Sequence, residues 1–161
     1  MAAALTMVAG QAAASGDCVT AIAESARRHN VPQAVALTVG KVESGHDSLA
    51  LNIAGRPARA YSVADGVIAI GKLRAAGITS VDVGCMQINL KHHPRAFSSL
   101  EQAFDPAANA EYGVLFLKQL HAAKGNWARA IASYHSSDPE RQTVYLSMVR
   151  QKLVQNLAMA R

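Results

Sequence analysis

The chain has 161 residues, half of them hydrophobic, with 16 Lys and Arg against 11 Asp and Glu, a formal net charge of +5. That length suits one domain, burying about 68–70% of its unfolded surface. A 5% aromatic content argues against a β-sandwich, no run reaches the ~20 apolar residues of a membrane span, and the basic balance suits any polyanion without choosing between nucleic acid, anionic membrane and acidic wall polymer.

Residues 1–14 are small and apolar and run into Gln11-Ala-Ala-Ala-Ser15, which has the form of a signal-peptidase site. The segment reads as the remnant of a signal peptide or as a disordered Ala-rich tail, since no Lys or Arg precedes Arg27. Export to the periplasm or cell envelope is the expected location, with one domain over 15–161. Asp17 directly before Cys18 does not suit a lipoprotein. Cys18 and Cys85 are the only cysteines. They form either one disulfide or two buried thiols, and both readings stand.

In chain order, Asp17 caps a first helix reaching Arg28. Val31-Pro32 starts a second, with Pro at its first position. Val35, Val39 and Val42 form its apolar stripe, Glu43 sits at the edge of that stripe, and Gly45 stops the helix. From Ser48 to Pro57, alternation of Leu49, Leu51 and Ile53 with Asn52, Gly55 and Pro57 predicts short β structure. Ser62-Val-Ala-Asp65 opens a third helix, ending at Gly77. A short strand over 78–83 leads into Gly84. Asp105-Pro106 opens a long helix with Ala110, Val114 and Leu117 in one row; Trp127–Tyr134 is another, and Asp138-Pro139 starts the last. The fold class is α+β, mostly α, with a small β element.

Three segments carry candidate chemistry: Lys41-Val-Glu-Ser-Gly45, Asp82-Val-Gly-Cys-Met-Gln-Ile-Asn89 and Ala130-Ile-Ala-Ser-Tyr134. Alone, Glu43 reads as a solvated or salt-bridged group, Met86 as core filler, Gln87 as a partner for buried backbone and Tyr134 as a core aromatic. In this order, the three segments resemble the lytic transglycosylase family, with its lysozyme-like fold. The resemblance covers about residues 18–153 and takes in Ala50-Leu-Asn52, Gly55, Asp105-Pro106, Asn109, Gly113, Arg141, Thr143 and Tyr145. The long spacer between Ser44 and Gly84 looks most like single-domain members attached to secretion systems, pili or flagella. Cys85 stands where Leu is usual, His135 where Asn is usual, and Ser136-Ser137 replaces Ala-Gly. Ala107 stands where many specialised members have their second cysteine, so a disulfide here would have to join Cys18 to Cys85.

The resemblance implies catalysis by Glu43, with Ser44, Met86, Gln87 and Tyr134 at the substrate and no metal or other cofactor. It also implies cleavage of the MurNAc-GlcNAc β-1,4 bond of peptidoglycan to a 1,6-anhydromuramyl end. A solvated Glu ionises near pH ~4.3, so an acid catalyst needs a desolvating wall. The stripe edge can supply one, with Met86 and Tyr134 enclosing it further. Asp47 is the obvious second carboxylate, a lesser candidate because Gly45 breaks the helix before it. His46 and the His92-His93 pair lack the helical spacing of a metal site. Asn109 reads as structural. The alternative function is a non-catalytic peptidoglycan-binding assembly subunit. A nucleic-acid binder ranks last, because the basic residues are scattered rather than gathered on one helix.

Overall fold

The computed structural model describes residues 17–159; the expectation for 1–14 lies outside them. Asp17 accepts from the Thr20 amide and caps α1 (Cys18–Arg28). Pro32 is the N-cap of α2 (Gln33–Ser44) rather than its first residue, its ψ of 118° being extended. The stripe on α2 is narrower than expected: Val39 is fully buried, whereas Val35 and Val42 are half-buried and pack at its flank. Gly45 ends the helix with φ 69°, a left-handed cap that costs glycine nothing.

The β element is a four-stranded antiparallel sheet, in the order β2-β1-β3-β4. β1 (Ala50–Ile53) turns into β2 (Arg56–Arg59), an exposed edge strand whose Arg56, Pro57 and Arg59 discourage further pairing. α3 (Val63–Ala75), capped by Ser62 as its sequence predicts, crosses back to β3 (Val81–Val83). β3 is shorter than the expected 78–83. β4 (Ile88–Asn89) follows, and a short α4 (Leu100–Phe104) precedes α5 (Pro106–Lys124). α6 (Trp127–His135) and α7 (Pro139–Met159) complete the chain.

Two apolar clusters form the interior. The larger joins α1, α2, α5, α6 and α7 through Ile22, Val39, Val114, Leu117, Ile131 and Val149. The smaller lies under the sheet, around Leu51, Ile70, Val81, Val83 and Phe104. The chain passes from one to the other within a few residues: Val83 belongs to the small cluster, Cys85, Met86 and Ile88 to the large one, and Leu90 to the small one again. The turn after β3 is therefore clamped from both sides.

Cys18 and Cys85 are joined in a disulfide, with Cα atoms 5.5 Å apart and a sequence separation of 67. It ties the start of α1 to that turn. On the far side of α1, Glu111 of α5 receives Ser25, Arg28 and His29. Burial opposes its ionisation, but these donors outweigh it and hold the carboxyl down at about 2.

Candidate active site

The turn Gly84–Gln87 is the scaffold of the site. Gly84 has φ 79°, and a Cβ there would lie 2.6 Å from Asn109 Nδ2, so only glycine fits. Asn109, fully buried on α5, accepts from the Met86 amide (2.8 Å) and donates to the Val83 and Ala103 carbonyls (2.9 Å each). The structural reading of Asn109 fits these contacts. Gly113, one helical turn on, admits Met86, whose Cβ would lie 2.5 Å from any Cβ added there.

Three of the residues expected at the substrate direct polar atoms at this same turn. Ser44 Oγ donates to the Cys85 carbonyl (2.8 Å) and accepts from the amides of His46 and Asp47. Gln87, itself at φ 48°, donates from Nε2 to the carbonyls of Ala50 (3.1 Å) and Gly84 (3.0 Å). Tyr134 donates to the Met86 carbonyl at 2.8 Å. Burial, with the charges of Glu43 and Asp82 added, pushes its phenol well above the ordinary range. Met86 has no exposed surface and forms the floor behind the turn.

Glu43 stands in the last turn of α2 with 11% of its side chain exposed. Its Oε1 is buried without a hydrogen-bond partner. Such an acceptor costs about 1–3 kcal/mol, which folding has to offset elsewhere. The Tyr145 hydroxyl from α7 is likewise buried and unpartnered. Burial raises that phenol well above its usual range, and the charge of Glu43 raises it further.

His135, the last residue of α6, places Nδ1 3.7 Å from Glu43 Oε1, an ion-pair distance longer than a hydrogen bond. Its ring lies flat on Tyr145, with centroids 4.4 Å apart and planes 2° from parallel. The neighbouring Glu43 carboxylate raises the imidazole above its ordinary range; burial opposes this, Asp82 adds to it and Arg141 subtracts.

The carboxylate that shares the field of Glu43 is Asp82 of β3, not Asp47. Burial raises Asp82 and the Glu43 charge adds to the effect, while the hydrogen bond from Asn89 Nδ2 (2.6 Å) works against them. Asp47 instead pairs with Arg59 at 2.5 Å and caps the Leu49 amide. The histidines are engaged elsewhere: His46 Nε2 lies 2.9 Å from the Leu37 carbonyl, and His93 Nδ1 lies 2.9 Å from the Tyr112 hydroxyl. Sequence reasoning missed Asp82 and Tyr145 as neighbours of Glu43 and noted His135 only as a departure. The signal available was the offset of Asp82 just before Gly84 and of His135 just after Tyr134.

A helical body, a small antiparallel sheet and a half-buried Glu ending the second helix define a lysozyme-like frame. The family model for the transglycosylase SLT domain matches residues 20–145, and the chain belongs to that family, whose business is peptidoglycan. No curated protein and no solved structure matches the chain. Among the described residues, no helix is long and apolar enough to cross a membrane.

Proposed function

We propose that the protein is a peptidoglycan lytic transglycosylase with Glu43 as the single group that exchanges protons with the substrate. The observation that carries this reading is the buried, unpartnered Oε1 of Glu43 beside the clamped turn, in a chain of the SLT family. Glu43 gives its proton to the bridging oxygen as positive charge builds at the anomeric carbon. The N-acetyl group of the sugar stabilises that charge. The resulting carboxylate takes the proton of the 6-hydroxyl, whose oxygen closes onto the anomeric carbon. Proton count balances, and no water enters. The Ser44, Gln87 and Tyr134 side chains would act at the substrate mainly by holding the turn, with Met86 as its floor.

On this reading the enzyme works in the periplasm or cell envelope, opening the wall locally for a secretion system, pilus or flagellum. The Cys18–Cys85 disulfide supports an oxidising compartment. A basic groove between α6 and α7, about 680 Å³ and edged by Lys124, Arg129 and Arg150, suits an anionic polymer.

The test is release of soluble fragments from purified sacculi. Glu43→Gln keeps shape and removes the proton, so the rate should fall by about 10²–10⁴-fold. Undiminished release by this variant would contradict the assignment. Sacculus binding by the wild type without any release would leave a wall-binding subunit instead.

A further inference from the structure

We propose that His135 is a positioning residue for Glu43, an imidazolium that pairs with the carboxylate and sets the upper pH limit of its activity. The inference rests on the reading of Glu43 as the proton-transfer group. Among the described residues, His135 is the one basic side chain within salt-bridge distance of Glu43.

Geometry supports the pairing from three directions. The ring is laid flat against Tyr145, so its plane is fixed by α7. His135 closes α6, where the carbonyl end of the helix favours a cation. Glu43 Oε1 has no competing donor. The groups facing the imidazole are Glu43 from α2, Asp82 from β3, Arg141 and Tyr145 from α7, and Tyr134 beside it on α6; His92 acts on Asp82. Two carboxylates against one guanidinium favour the charged ring.

The pair holds one proton. When the sugar is seated, Nδ1 and Oε1 close from 3.7 Å to hydrogen-bond distance, the Nδ1–H bond breaks as the Oε1–H bond forms, and the same proton passes on to the bridging oxygen. Cleavage leaves a neutral imidazole beside a carboxylate. The 6-hydroxyl proton then returns to the pair, which ends as it began. Above the pH at which His135 loses its proton, the pair has none to give. The sign for stability is the same: folding raises His135, so its pairing contributes fully below about pH 6.5 and is lost as the pH rises through the higher folded value.

The experiment combines an imidazole NMR titration with the pH profile of kcat/KM on purified sacculi. In the wild type, the His135 midpoint should lie above about 6.5 and fall in Glu43→Gln. In His135→Asn, which keeps a polar side chain of similar reach, the alkaline limb of kcat/KM should move to lower pH. A midpoint indifferent to Glu43→Gln overturns the proposal. So does a His135→Asn profile lowered evenly at every pH, which is what a packing defect alone would give. If the wild type forms anhydro products and the midpoint does not move, this inference fails alone. If His135 titrates with Glu43 but the wild type makes no anhydro products, the enzymatic reading fails and takes the inference with it.

Discussion

The amide of Asn109 makes three backbone hydrogen bonds, one on either side of Gly84 and one to the Ala103 carbonyl of α4, and the residue has no exposed surface through which water could replace them. Asn109→Ala would leave the Met86 amide and two carbonyls buried without partners, at about 1–3 kcal/mol each. Denaturant unfolding should show a loss on the order of 3 kcal/mol or more. An unchanged midpoint would mean that the turn is held without Asn109, by Ser44, Gln87, Tyr134 and the disulfide. Glu43, Ser44, Met86, Gln87 and Tyr134 could be proposed from the sequence because each lies in a short segment whose order is distinctive, and the structure gathers the last four at one turn. His135, Tyr145 and Asp82 converge on Glu43 from three elements, and nothing local marks such a convergence. Asp47 was the nearest second carboxylate in sequence, but the left-handed Gly45 and His46 turn it toward Arg59.

Element boundaries were readable at most helices that a side chain caps, Ser99 of α4 being the exception. Asp17, Ser62 and Asp105 each accept an amide three residues on, and each was visible as a polar residue before an apolar run. β4 and α4 were not, since two residues of strand and five of helix are too short to carry a period. Nor did composition choose between thiols and a disulfide. The bond spans a sequence separation of 67 and, in the chain-entropy model, stabilises the fold by about 4 kcal/mol. Reduction, or Cys18→Ser with Cys85→Ser, should lower the unfolding temperature and speed amide exchange at 84–87. Equal melting curves with and without reductant would show that the helices alone anchor the turn.

At the scale of the molecule, the site lies where the chain threads from the sheet cluster to the helical cluster and back. Phe97 packs against both clusters, so a change in either reaches the turn behind Glu43. Such a site holds one acid against a rigid backbone, and the fold brings up no second carboxylate by hydrogen bond to Glu43 among the described residues. Asp82 is the carboxylate through which a water-activating pair of the ordinary glycosidase kind would have to work, and the proposed function does without it. The chemistry expected is closure of the sugar's own hydroxyl onto its anomeric carbon. Mass spectrometry of the muropeptides released from sacculi in ¹⁸O-enriched water reads this outcome directly. The account predicts 1,6-anhydro ends, lighter by one water than reducing ends and free of the heavy isotope. Reducing ends carrying ¹⁸O would contradict it and identify a hydrolase.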